Sequence, residues 1–168
     1  MQPYPLEELP GRPCPIAASL ELVGERWSLL VVREVSLGNH RFSEIAQGTG
    51  APRDRLSARL TALVAAGVLE KRQYSSSPPR SGYHLTTAGR DLMPVLQALL
   101  QWGNRWVTEE PPVLLHHAAG HDGDHTIDGE WTCRTCGEPV NASRVERVLT
   151  PAGRALSGLP PQEDDGDR

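Results

Sequence analysis

Residues 51–72 read "APRDRLSARLTALVAAGVLEKR", and the pattern of this stretch decides the fold. Ala51 precedes a proline and so leans toward extended backbone, while Pro52 suits the first position of a helix. At about 100° per residue, Leu56, Leu60, Leu63 and Val64 gather on one face. Arg55, Ala58, Arg59 and Ala62 fall on the opposite face, and Arg53 projects from the first turn. Gly67 ends the helix, and "VLEKRQY" (68–74) reads as a strand. "SSSPPRSG" (75–82) then reads as a loop and "YHLT" (83–86) as the returning strand.

Upstream, prolines at 3, 5, 10 and 13 break residues 1–13 into an arm. Pro15 opens a helix with Ile16, Leu20 and Val23 on one stripe and Gly24 closing it. A second helix is expected from about Glu25 to Ser36, burying Trp27, Leu30, Val31 and Val35. Gly38-Asn39 turns the chain into a short helix around Ser43–Gly48, anchored by Ile45 and Ala46. Downstream, Thr87 is placed to cap a long helix over about Ala88–Val107. Its apolar side carries Leu92, Val95, Leu96, Leu99, Trp102 and Trp106. Pro94 must kink this helix or mark its true start.

The formal net charge of -4 conceals an asymmetry. Residues 1–107 hold 12 basic against 9 acidic side chains, whereas residues 108–168 hold 5 against 12. Within 41–90 the balance is 8 against 3, so positive charge collects around the opening stretch. Such a footprint suits a polyanion, although solvated helix faces also carry arginine. Two features favour nucleic acid. Neither Arg55 nor Arg59 has an acidic residue three or four positions away, and a basic strand and a Pro-Arg loop follow at once.

A short helix, a tight turn, a helix with a basic outer face and a two-stranded ribbon together outline a winged helix-turn-helix. The fold class is mainly α with a small β-hairpin wing, followed by a Cys/His-containing C-terminal extension. In such a module the second helix enters the major groove, and arginine can grip guanine or phosphate with two hydrogen bonds. Arg53 and Arg55 are candidates for base edges or phosphates, and Arg59 and Arg80 for phosphates. Arg41 and Arg72 complete the candidate DNA-binding set.

The strings "CPIAASLELVGERW" (14–27), "LGNHRFSEIAQG" (37–48), "LSARLTALVAAGVLEKRQY" (56–74), "PPRSGYHLTTAG" (78–89) and "LLQWGNRW" (99–106) closely resemble the HxlR family of bacterial transcriptional regulators. Each string is a modest signal, but five in order are specific. The resemblance covers about residues 14–107. It implies a homodimer, joined through the first and the long last helix, that binds operator DNA, usually near its own gene. Gly82 departs from the family pattern, where many relatives carry an acidic residue before the tyrosine. Ala51-Pro52 also departs, where many carry an Ile-Ser pair. Both bear on wing geometry and base preference.

Three cysteines argue against a disulfide framework and toward a metal or a reactive thiol. Cys14 precedes Pro15, a helix N-cap position where the dipole favours a thiolate. Several family members resemble this chain in a cysteine here that senses electrophiles or oxidants; an inert cysteine under the arm is the competing reading. "WTCRTCG" (131–137) places Cys133 and Cys136 at the spacing of half a zinc knuckle. Zinc wants four ligands, and His117 and His121 are the candidate partners among His116, His117, His121 and His125. Two exposed thiols in a loose tail are the alternative.

The domain reading is therefore an arm over 1–13, a DNA-binding and dimerisation domain over 14–107, a Cys/His extension over 108–150, and an acidic, disordered tail over 151–168. The N-terminus lacks the charged and apolar regions of a signal peptide, and no apolar run could span a bilayer, so a cytoplasmic protein without membrane contact is expected. No phosphate loop, nucleophile elbow or HExxH occurs, which argues against an enzyme. The expected partners are double-stranded operator DNA, a second copy and a redox or small-molecule effector. The alternative functions are a winged helix that binds protein, which would need an apolar patch on the exposed face of 52–66, and a metal sensor.

Overall fold

The computed structural model describes residues 1–157 apart from 2, 10, 11, 13, 118–124, 128, 142, 144 and 147. The order of elements is α1 (Pro15–Val23), α2 (Ser28–Ser36), α3 (Phe42–Thr49), α4 (Arg53–Ala65), β1 (Leu69–Ser76), β2 (Pro79–Leu85), α5 (Thr87–Arg90), α6 (Met93–Trp106), β3 (His116–His117), β4 (His125–Thr126) and α7 (Pro151–Leu156). Two compact units are distinguished: Met1–Leu96 with the segment from Thr150 onward, and Gln97–Leu149.

The core of the first unit is built on the stripe that opens the sequence reading. Leu56, Leu60 and Leu63 of α4 are wholly buried against Val31 and Val32 of α2, Ile45 of α3, and Val68 and Leu69 at the start of the wing. Each such aliphatic side chain contributes about 1.5–3 kcal/mol on leaving water. Val64 only lies against this cluster, because it sits at the edge of the leucine face.

The turn between α3 and α4 is specified residue by residue. Gly50 caps α3 in a left-handed conformation (φ +65°), and its N–H donates to the Ala46 carbonyl at 3.0 Å. The buried Thr49 hydroxyl donates to the Ile45 carbonyl at 2.7 Å and accepts from the Ala51 N–H at 3.2 Å. Pro52 is extended and sits one position before the helix, its carbonyl accepting from Leu56 N–H at 2.8 Å. It is thus the N-cap instead of the first helical residue. At the other end Gly67 (φ +73°) donates to Val64 and Val68 donates to Leu63, the paired bonds of a Schellman ending.

The wing is longer than the sequence suggests. β1 and β2 pair antiparallel from Leu69↔Leu85 to Ser76↔Pro79, with an irregularity between Gln73 and Ser75 that leaves Tyr74 unpaired. Most of the expected 75–82 loop is therefore strand, and the turn is Ser77-Pro78. Residues 75–82 are serines, prolines, an arginine and a glycine, a composition that reads as a loop and hides the strand pairing.

Other expectations need correction. α2 begins at Ser28, because the backbone from Glu25 to Trp27 forms a preceding turn whose Glu25 carbonyl accepts from Ser28 N–H at 2.9 Å. Trp27 and Leu30 are half-buried, while Val32 and Glu34 are buried. Of the expected α1 stripe Val23 is buried while Ile16 and Leu20 are exposed, and Ala18 is buried too. The downstream helix is broken in two: Thr86, not Thr87, caps α5 by accepting from Gly89 N–H at 3.1 Å. Pro94 occupies the second position of α6, so it marks a true start. Leu92, Met93 and Leu96 pack on the core of the first unit, whereas Val95, Leu99, Trp102 and Trp106 lie exposed.

The first residues of the expected acidic tail form α7. Thr150 accepts from Gly153 N–H at 3.1 Å and Pro151 opens the turn, which suffices to start α7. The acidic end of the expected tail lies outside the described residues. Among the described residues no helix is long and apolar enough to cross a membrane.

Candidate nucleic-acid interface

α4 turns its leucines inward, so its other face is dictated to be outward. Pro52, Arg53, Asp54, Arg55, Ser57, Ala58 and Thr61 are all exposed, a polar and cationic surface in which a large apolar patch is missing. Arg53 sits at the helix start, its guanidinium 5.1 Å from the centre of the Phe42 ring. Arg55 approaches Asp54 at 3.8 Å with both side chains exposed. Arg59 is different: it lies largely covered and reaches Glu25 at 3.9 Å. That pairing crosses from α4 to the turn before α2, which the spacing rule within one helix could not foresee.

Arg41 is the N-cap of α3, 3.8 Å from Glu44 and 5.4 Å from the centre of the Tyr74 ring. Arg72 on β1 is held by Glu70, with its Nε at 2.9 Å. Arg80 is exposed at the start of β2, paired in register with Ser75. The six candidates are thus spread over α3, α4 and the wing. Exposed ion pairs of this kind contribute about 0–1 kcal/mol, so a phosphate can displace the carboxylates at little cost.

One residue escaped the sequence reading. Arg26 stacks on Trp27, 4.5 Å from the ring centre, and together with Trp27, Pro52, Arg55 and Arg59 it lines a hollow of about 350 Å³. Three arginines and the acidic Glu25 thus line one notch beside α4. In the sequence Arg26 stands nearly thirty positions from Arg55, and no local periodicity links them.

The wing is fastened to the start of α3 by backbone and by two histidines. Tyr83 N–H donates to the His40 carbonyl at 2.8 Å, and His40 Nδ1 lies 2.9 Å from the Tyr83 carbonyl. The His40 and His84 rings stack with centres 4.1 Å apart. Partial burial lowers the pKa of His84 from its ordinary value, His40 and Arg72 lower it further, and Glu70 opposes them. Gly82 is buried here, and a Cβ would stand 3.3 Å from the His40 Cβ and carbonyl oxygen.

With the two-helix motif, the pinned hairpin and the cationic face in place, the relatives can be stated. The HxlR-like helix-turn-helix family matches residues 22–111. The chain belongs to this family. It is 43% identical over 143 residues to the HTH-type transcriptional regulator Rv3095 of Mycobacterium tuberculosis, covering 83% of this chain and 88% of that one. It is 35% identical over 101 residues to the HTH-type regulator sll1512 of Synechocystis, covering 60% and 75% of the two chains. Among solved structures it is similar to PA1607, described as a candidate transcription factor, at 31% identity and a TM-score of 0.71, over 82% of this chain and 95% of that one. The HxlR chain is thus a winged helix-turn-helix protein of the regulator type.

Cys14 is the N-cap of α1, half-buried, with extended backbone and Pro15 following. Of the residues offered for zinc, Cys133, Cys136 and His117 belong to the second unit. Among the described residues no three His, Cys, Asp or Glu side chains come together as a metal group, so His117 does not join Cys133 and Cys136. Its ring instead faces His125 at 5.0 Å across the β3–β4 hairpin, because those two residues are paired in register. His121 lies outside the described residues.

Proposed function

We propose that this HxlR protein is a cytoplasmic transcriptional regulator that binds an inverted-repeat operator as a homodimer. The observation that carries the reading is the division of α4: leucines wholly buried on one side, Arg53 and Arg55 exposed on the other, and Arg80 extending the same charge along the wing. α4 lies in the major groove, where Arg53 and Arg55 meet base edges or phosphates. Arg41, Arg59, Arg72 and Arg80 hold the backbone on either side. The relatives are named as regulators, which supports binding over catalysis.

A second copy is the natural cover for the exposed apolar faces of α1 and α6. Trp102 and Trp106 are more than half exposed, as are Ile16 and Leu20, an unusual load of bare apolar surface for one chain. A twofold dimer then reads half-sites one helical turn, about 34 Å, or a multiple of it apart. Cys14 is the position at which an oxidant or electrophile acts on this dimer.

Anisotropy of labelled DNA from the region upstream of the gene tests the reading. Tight binding that weakens steeply with salt, and that scrambling either half-site abolishes, is the expected result. Equal affinity for operator and scrambled DNA would overturn it.

A further inference from the structure

The notch between α4 and the turn before α2 holds cations whose donors the chain itself does not use. Arg26, Arg55 and Arg59 line it, with Glu25, Trp27, Pro52 and Ala58 completing the wall. Arg59 is the most covered of the three, its side chain 25% exposed, yet the Glu25 carboxylate stands at 3.9 Å, too far for a hydrogen bond. Arg55 reaches Asp54 only at 3.8 Å, and Arg26 is held over the Trp27 ring. Among the described residues none of these three guanidinium groups donates a hydrogen bond to another side chain or to the backbone. Each offers a planar fork of N–H donors that matches the paired oxygens of a carboxylate or a phosphate.

Charge and room choose among the oxyanions. Three cations against one carboxylate leave the lining with two uncompensated positive charges. Asp54, the neighbour of Arg55, is exposed and does not line the notch. A carboxylate or a phosphodiester, with one charge, meets half of that excess, whereas a phosphomonoester carries close to two at neutral pH. The volume of about 350 Å³ lies in the range of roughly 300–1,000 Å³ typical of small-molecule sites, and Trp27, Pro52 and Ala58 give an organic group an apolar wall. A second hollow shares Arg26 and Arg59 but is a poorer host for an anion, because Glu21 and Glu25 there balance the two arginines.

We propose that the notch binds a small organic phosphomonoester, and that its occupancy opposes DNA. Arg26 and Arg59 grip the phosphate oxygens, and Arg55 turns its charge to the same group. The cation that α4 would present to the operator is thereby neutralised, and the bound dianion repels the phosphates of the duplex. The coupling to DNA rests on the operator reading; the binding site does not.

Calorimetric titration of the full-length protein with phenyl phosphate, without DNA and at constant ionic strength, tests the site. Saturable binding with a Kd below about 1 mM is expected. Dimethyl phosphate and benzoate, each a monoanion, should bind at least about tenfold more weakly. Arg26→Ala, at an exposed position, and Arg59→Ala should each weaken phenyl phosphate by about tenfold or more, with circular dichroism confirming the fold. Glu25→Gln should tighten binding by removing the competing carboxylate, and Lys71→Ala, a cation of β1 outside the notch, should match the wild type. Absence of saturable heat, equal affinity for the monoanions, or wild-type affinity in Arg26→Ala would overturn the site. Saturating phenyl phosphate should also weaken operator binding by about tenfold at matched ionic strength, and an unchanged operator affinity would overturn the coupling. Since the calorimetric titration contains no DNA, a failure of the operator reading leaves its result untouched.

Discussion

The carboxylate of Glu34 on α2 occupies the space that a side chain on Gly48 of α3 would need. Glu34 is only 4% exposed, and it is held there by Arg33 Nη2 at 2.6 Å and Asn39 Nδ2 at 2.7 Å. The same Arg33 nitrogen donates to the Gly48 carbonyl at 2.9 Å, so one guanidinium ties the two helices together. Gly48→Ala must displace the buried carboxylate or part the helices. It should cost about 1–3 kcal/mol, read as a lower urea midpoint. An unchanged midpoint would show that the clasp yields freely.

The arginine notch and the wing make separable predictions for DNA. Arg26→Ala and Arg80→Ala should weaken every sequence alike and lower the salt slope by about one ion per half-site. Arg53→Ala should cost roughly 1–3 kcal/mol on the operator and relax preference at one position in each half-site. Titrations at several salt concentrations distinguish these outcomes, and no change in all three variants would remove α4 as the reader.

The histidine stack carries a pH dependence. The folded chain holds the pKa of His84 below its unfolded value of about 6.5. Protons therefore bind the unfolded chain more readily, so stability is complete above that range and declines as pH falls through it. Urea midpoints should drop between about pH 7.5 and about pH 5.5, and His84→Gln should flatten the decline. A midpoint that rises on acidification would contradict the sign.

The dimer proposal rests on exposed side chains that contribute nothing to the described core. Leu99→Glu or Trp106→Glu should yield a monomer by light scattering at micromolar concentration while leaving the far-ultraviolet circular dichroism spectrum intact. A variant that remained dimeric would place the interface elsewhere.

At Cys14, the N-cap of α1, replacement by serine keeps a side chain that suits the position. Cys14→Ser should preserve the dimer and abolish any response of operator affinity to oxidant. A response that persists would assign it to another cysteine.

The leucine stripe and the Pro52 and Gly67 boundaries of α4 were legible because burial on one face writes a period into the chain. On α1 the stripe divides: Val23 is buried, while Ile16 and Leu20 find no cover among the described residues. Periodicity records that a face is apolar, not what covers it. Glu34 escaped for the opposite reason: a buried carboxylate is polar in sequence, and its partners Asn39 and Gly48 come from beyond α2. The notch around Arg26 depended on tertiary proximity alone. The Cys133–Cys136 spacing was visible, whereas the registry that turns His117 toward His125 is set by a hairpin too short to leave a pattern.

The bond from Tyr83 N–H to the His40 carbonyl joins main chain to main chain, and Gly82 beside it leaves no side chain to intervene. The hinge of the wing is thus insulated from mutation at its tip. Arg80, Ser81 and the Ser77-Pro78 turn lie beyond this bond, toward the far end of the ribbon. A change at the tip is therefore separated from the bond that aims the ribbon.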